Sequence, residues 1–224
     1  MNTTERIQNA TIKLVLQYGY DKLTMQDIAN EAHIARSTIY TKWRTKEDLF
    51  ADILQQESLA YLDRWYELVM QDKDGGSFMG IYRNALLAIH ENPFLLALYT
   101  QNRVVLGGFI SEQQFDDLLL QRLVWNTKLL TMMQDIDMIR ASVEISTLAA
   151  VAVIFREGLL NTQLLKQSSD ALAFKPVLDL FLEMFQQFAI NDATADNPDA
   201  GQQMLAEYIT TYKTYFQAQK DKDI

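Results

Sequence analysis

The sequence predicts an all-α protein, on three observations. Apolar residues recur at the three- and four-residue spacing of a helix almost everywhere, the two-residue alternation of half-buried strands is nearly absent, and the breaks carry helix-start and helix-stop chemistry. Ile7, Ala10, Thr11, Leu14 and Tyr18 form one stripe and Gly19 supplies a stop, so a first helix is expected over about Thr4 to Tyr18. Thr24 with Asp27 three residues on reads as a capping box opening a short helix through Ala32, and a second short helix follows over about Arg36 to Trp43. Thr45 with Asp48 repeats the capping signal and starts a long helix toward Met70, which DKDGGS at residues 72–77 breaks.

Downstream the punctuation is sparser. Asn92-Pro93 reads as a cap and first helical residue, Gly107-Gly108 as a break, and Ser111 as the cap of a helix to about Met133. Another long helix is expected from Asp135 to about Asn161, and one from Phe174 or Lys175-Pro176 to about Ile190. A polar stretch then leads, at Asn197-Pro198, into a final amphipathic helix near Asp199 to Gln219. About ten helices result, with no internal repeat of fixed period.

Composition narrows the class. With 224 residues, 49% hydrophobic, the chain can bury a substantial core. The absence of cysteine removes disulfides and thiolate chemistry and fits a reducing compartment. The N-terminus lacks the cationic start and apolar run of a signal peptide, and the longest uncharged apolar window, Ile145 to Phe155, is well short of the roughly 18 residues that span a bilayer, so a cytoplasmic protein is expected. Two histidines, no cysteine and no nucleophile beside a sequence-local base leave no catalytic residue, metal site or cofactor to expect. The stretch DGGSFMG lacks the Gly-Lys-Ser/Thr of a phosphate loop and reads as a helix connection.

Charge is uneven. The formal net charge is -9, yet residues 1–50 carry seven Lys and Arg against six Asp and Glu. Screening beyond about 10 Å lets a local patch decide what binds there, so an acidic chain can still read a polyanion. Arg36, Lys42, Arg44 and Lys46 gather around a Ser-Thr pair, a tyrosine and a tryptophan. Two short helices joined by a tight turn, with a longer helix on each side, are the layout of a helix-turn-helix unit. Small Ala29 permits a close crossing, and Ile34 and Ile39 are expected in the core with Ile28, Leu14 and Leu23. That leaves Arg36, Ser37, Thr38, Thr41 and Lys42 able to donate to base edges or phosphates.

Residues about 4 to 54 resemble the N-terminal domain of the TetR family of bacterial transcriptional repressors. The resemblance is carried by Gly19-Tyr20, the run TMQDIA from Thr24 to Ala29, Thr38-Ile39-Tyr40, and Lys46-Glu47-Asp48-Leu49. The chain departs from the family's usual Gly at His33, Ser at Ala35 and Phe at Trp43. A positive φ at His33 would strain the turn, and Ala35 forgoes a capping bond of order 1 kcal/mol. The resemblance implies phosphate contacts from Thr24, Tyr40 and Lys46, the last two beside the exposed amides of the long helix, and base-facing positions at Arg36, Ser37, Thr38 and Thr41. Lys42 and Trp43 could reach the backbone, Trp43 serving alternatively in the core, and Thr4 and Arg6 are secondary phosphate candidates. Arg36 suits a bidentate guanine contact best.

The same resemblance implies a DNA-binding domain at residues 1–47 and a ligand-binding and dimerisation domain at 48–224, with an extra helix at about 198–220 beyond the family's usual end. Double-stranded DNA with a palindromic operator, a small hydrophobic effector and a second copy of the chain are the expected partners. Tyr61, Trp65, Phe115 and Trp125 are candidates to line the effector pocket, with Tyr82, His90 and Arg103 as its polar groups. Ala150, Val153 and Ile154 with Phe181 and Phe185 are candidates for the dimer interface, because these segments offer more apolar surface than one side can bury. The competing reading is an all-helical protein-interaction scaffold that keeps a helix-turn-helix without operator binding, and a gel shift with salt titration separates the two.

Overall fold

The structure, a computed structural model, describes residues 2–161, 174–190 and 197–220. The all-α expectation holds: these residues contain eleven α-helices, no strand, and one isolated bridge between Ile139 and Ile190. In order they are α1 Thr3–Tyr18, α2 Met25–Glu31, α3 Arg36–Tyr40, α4 Lys46–Gln71, α5 Phe78–His90 and α6 Pro93–Tyr99. α7 Arg103–Leu106 precedes a 3-10 turn at Gly107–Phe109, and α8 Glu112–Asp135, α9 Ile145–Asn161, α10 Phe174–Ala189 and α11 Pro198–Lys220 follow. Most of the polar stretch before Pro198, residues 191–196, lies outside the described residues.

Two compact units make up the chain, Met1–Ala60 with Asn92–Asp116, and Tyr61–Glu91 with Asp117–Ile224. This division does not fall at residue 47, because α4 runs through both units and the α6–α7 segment closes on α1. The Tyr20 amide donates to the Val105 carbonyl at 2.8 Å, and the Gly108 amide to Asp21 Oδ1 at 2.9 Å. Gly19, at φ +82°, passes so near the Val104 carbonyl that a Cβ would strike it.

The first unit is built around Ile7, Leu14, Val15, Ile28, Ala29, Ile39, Leu49 and Phe50, all buried. Ala29 has no exposed surface, as a close helix crossing requires, whereas Ile34 is only half-buried. Tyr18 departs from the expected stripe: the buried line of α1 runs through Leu14 and Val15 to Gly19. Tyr18 is 52% exposed and lines a surface groove of about 530 Å³ with Lys22, Glu31 and His33.

In the second unit α10 lies on α5, joined by the rings of Phe78, Tyr82 and Phe185 and by Arg83 Nε donating to Asp179 at 2.8 Å. The C-terminal helix, which the sequence could not place, seats on this unit. Tyr208 stands edge-on to both Trp65 and Trp125 and donates its hydroxyl to the Trp125 carbonyl at 3.2 Å. Gln202 donates to the Val69 carbonyl at 3.3 Å, and Gly201 meets the Gly76 backbone with no room for a Cβ. The break at DKDGGS is therefore a seat for the first turn of α11.

One expected helix is shorter. The segment from Asp135 does not continue to Asn161: Asp137 takes φ 61°, Ile139 pairs with Ile190, and α9 begins only at Ile145. Arg140 supplies the cause, its amide donating to the Ala189 carbonyl at 3.0 Å and its guanidinium to the carbonyls of Gln187 and Phe188 at the end of α10. These long-range partners satisfy the last carbonyls of α10 and outweigh local helix propensity.

Candidate nucleic-acid interface

The helix-turn-helix begins at α2. Thr24 caps it, accepting from the Asp27 amide while Asp27 Oδ2 accepts from the Thr24 amide and hydroxyl, the capping box the spacing predicts. His33 makes the turn at φ 52°, the conformation the departure from Gly implied. The Arg6 guanidinium donates to the carbonyls of Ala32 and His33, the latter at 3.2 Å. Arg6, a secondary phosphate candidate from sequence, is thus a clasp on the end of α2 and the turn.

α3 starts at Ala35 without a side-chain cap, as expected. It buries Ile39 completely and leaves Arg36, Ser37, Tyr40 and Thr41 exposed, with Thr38 half-buried. Arg36 and Tyr40, one turn apart, are coupled: the guanidinium donates to the phenol oxygen at 2.7 Å and lies 5.2 Å from the ring centroid. Thr41 spends its hydroxyl on the Thr38 carbonyl at 2.7 Å. The exposed side of α3 therefore presents a guanidinium, held along the helix, beside the Ser37 hydroxyl.

Trp43 is core, 3% exposed, its indole N–H donating to Asp52 Oδ2 at 3.1 Å. The option of a DNA backbone contact is closed to it by this burial. Lys42 reaches the same oxygen at 3.2 Å. Lys46, matched by resemblance to a phosphate contact, is half-buried and donates to the carbonyls of Tyr20 and Leu23 at 3.0 and 3.1 Å, its ammonium 3.9 Å from the Tyr20 ring centroid. Tyr20 donates to Glu47 at 2.6 Å; burial pushes its phenol well up, and the hydrogen bond it gives holds the Glu47 carboxyl below the usual carboxylate range. Thr45 and Asp48 cap α4 reciprocally at 3.0 Å in each direction.

The effector candidates separate into local groups. Tyr61 stacks on Trp65, and Trp65 is buried with its N–H on the Ile81 carbonyl at 2.9 Å. Trp125 meets Tyr208 and Tyr212, two rings of α11 that no sequence signal tied to it. Tyr82 donates to Asn126 Oδ1 at 2.8 Å, Asn126 donates to the Ala149 carbonyl at 3.1 Å, and burial raises the phenol's pKa. His90 is exposed and stacks on Phe174. Arg103 and Phe115 belong to the first unit, where the guanidinium lies 4.9 Å from the Phe115 ring centroid and donates to the Ile110 carbonyl.

The dimer candidates divide by face. Val153 and Phe185, each 7% exposed, point into their own unit, and Ala150 and Phe181 are half-buried, Phe181 stacking on Phe155. Ile154 is 71% exposed. It is joined by Val151 on α9 and by Leu180, Met184 and Phe188 on α10, all exposed, of which the sequence reading passed over Leu180 and Met184. Their four-residue spacing on α10, set against the buried Leu178, Leu182, Phe185 and Ala189, was the available signal.

The comparisons with known proteins agree with this geometry. Residues 7–53 match the family described as bacterial regulatory proteins, tetR family. An HTH-type transcriptional regulator of Mycobacterium bovis is 33% identical over 61 residues, 27% of this chain and 32% of the relative. One of Mycobacterium tuberculosis is 34% identical over 53 residues, 24% and 28% of the two chains. The chain thus matches about a third of the length of these curated relatives. Among solved structures, a tetR-family transcription regulator from Shewanella sp. PV-4 has a TM-score of 0.57 at 14% identity, covering 85% of this chain and all of that one. The fatty acid degradation regulator FadR of Bacillus halodurans has a TM-score of 0.61 at 17% identity, covering 81% and 95%. FadR of Bacillus subtilis, solved in complex with stearoyl-CoA, has a TM-score of 0.59 at 16% identity, covering 81% and 96%. At these identities the likeness is one of fold. Residues 7–53 thus match the helix-turn-helix segment of the tetR family of bacterial regulatory proteins, and the all-helical chain shares its fold with these structures.

Proposed function

We propose that this transcriptional regulator is a homodimeric, cytoplasmic repressor that reads a palindromic operator and is released from it by a small hydrophobic effector. Residues 1–47 serve as the reading part and residues 48–224 as the effector-binding and dimerising part. The observation that carries the reading is the exposed side of α3, where Arg36 is held one turn from Tyr40 in a unit that buries Ile39 and Trp43 behind it. A guanidinium presented this way suits the paired acceptors of guanine in the major groove. Thr24, Ser37, Thr38, Tyr40, Thr41 and Lys46 complete the proposed contact set, with Lys42 at its rim, held back by Asp52, and with Lys46 acting through the loop carbonyls it holds as well as through its charge.

Dimerisation is assigned to the exposed residues of α9 and α10, Val151, Ile154, Leu180, Met184 and Phe188, which would otherwise leave a large apolar patch in water. For the effector, the rings of Tyr61, Trp65, Tyr82 and Trp125 favour an apolar ligand. The fold neighbour solved with stearoyl-CoA supports that chemistry. α4 is unbroken from Lys46 to Gln71, so an effector that prefers one spacing of the two reading heads changes operator affinity by its differential affinity for that state. Selection of duplexes from random DNA tests the reading: the enriched sites are expected to be inverted repeats with half-sites about 34 to 36 Å apart. No enrichment, with the protein folded, would favour a scaffold role instead.

A further inference from the structure

Lys42 follows the recognition helix, and its exposed ammonium is not unpaired. It is drawn back over the Trp43 indole, 4.5 Å from the ring centroid, to Asp52 Oδ2 on α4 at 3.2 Å. The same oxygen accepts from Trp43 Nε1 at 3.1 Å and from Gln8 Nε2 at 3.1 Å, so one carboxylate ties α1, the end of the recognition segment and α4 together. The Asp52 side chain is 18% exposed and that of Lys42 45%, which places the anion behind the cation and the cation toward water. A phosphate approaching Lys42 competes with a carboxylate that is already positioned by two neutral donors.

We infer that Asp52 is a positioning residue that restrains Lys42 and so sets the strength and salt dependence of phosphate binding at the end of the recognition segment. This rests on the DNA-binding reading above. In the parent, the ion pair draws the lysine's charge back from a phosphate. Without the carboxylate's charge, Lys42 is released to neutralise one phosphate per reading head, and counterion release makes that visible as salt dependence. Asp52→Asn keeps a carbonyl oxygen for the indole and the Gln8 amide while removing the charge.

The test uses the full chain and a labelled mixed-sequence duplex of about 30 base pairs, because a phosphate contact is sequence-independent. Asp52→Asn is expected to bind at least about threefold more tightly at low salt, and to lose about 3.5-fold more affinity per reading head between 50 and 200 mM salt than the parent, the increment of one neutralised phosphate. Lys42→Ala in the parent weakens binding by less than about threefold, and combined with Asp52→Asn it abolishes the gain. A folded Asp52→Asn with parental affinity and slope overturns the assignment, as does a gain that survives intact in the Lys42→Ala background. Should Asp52→Asn fail to fold, Lys42→Ala alone decides: a loss above about threefold means Lys42 was already committed to phosphate and the restraint is absent. A parent chain that binds no duplex at low salt removes the DNA-binding reading itself, which is a distinct outcome from a parent that binds and a variant that does not differ.

Discussion

In the proposed reading, Arg36 is the side chain on which sequence specificity most depends. Held by Tyr40 one turn along α3, it is pre-oriented, and less rotamer entropy is lost when it meets a base. Arg36→Ala is expected to cost about 1 to 3 kcal/mol on a selected operator and to relax preference at one base pair per half-site, read by anisotropy against single-base-pair variants. Equal losses on every duplex would make it a phosphate contact instead. The local devices around it were legible in the sequence, since Thr24 with Asp27, Thr45 with Asp48 and the positive φ at His33 act within three or four residues. The roles of Arg6, Lys46 and Asp52 were not: Arg6 reaches a carbonyl 26 residues away, Lys46 one 26 residues away, and Asp52 an amide 44 residues away. A charged side chain with a distant partner reads, in sequence, like any exposed cation or anion.

Helix ends show the same division. α9 begins where Glu144 accepts from the amides and hydroxyls of Ser146 and Thr147, which hold its carboxyl down at about 2. A depressed carboxyl stabilises the fold above its unfolded value of about 4.5 and loses that contribution as pH falls toward 2. Glu144→Gln should therefore lower the melting midpoint at pH 7 and show a shallower decline between pH 5 and 2 than the parent; parallel declines would mean the cap is energetically silent. The start of α9 was misplaced in sequence because QDIDMIRAS contains neither proline nor glycine, and only the pairing of Ile139 and Arg140 with the end of α10 stops the helix. The glycines before α5 carried the opposite ambiguity, a visible break without a visible reason, which the approach of Gly201 supplies. Gly201→Ala should destabilise the chain by about 1 to 3 kcal/mol or more in urea, because the obstacle is the Gly76 backbone and not a side chain that can rotate. An unchanged midpoint would mean that α11 does not sit on this seat in solution.

Across the whole chain, the all-helical class and the identity of the N-terminal unit followed from periodicity and one dense motif, while the downstream surfaces did not. Apolar residues on every side of α9 and α10 signalled an interface, but which side faces the protomer's own core depends on the packing of α10 on α5, and that assigned Val153 and Phe185 inward. Ile154→Arg and Phe188→Arg are thus expected to convert a dimer to a folded monomer in light scattering at micromolar concentration, whereas Phe185→Arg should unfold the chain by burying an unpaired charge. A parent that is already monomeric would remove the proposed spacing of two reading heads. The proposed function presupposes that this acidic chain nevertheless holds DNA by phosphates at the N-terminal unit. The test is a salt titration of the parent on a selected duplex: neutralising two or more phosphates per dimer predicts an affinity that falls about tenfold or more between 50 and 200 mM salt, linear in log against log, whereas binding indifferent to salt, or none at 50 mM, would contradict it.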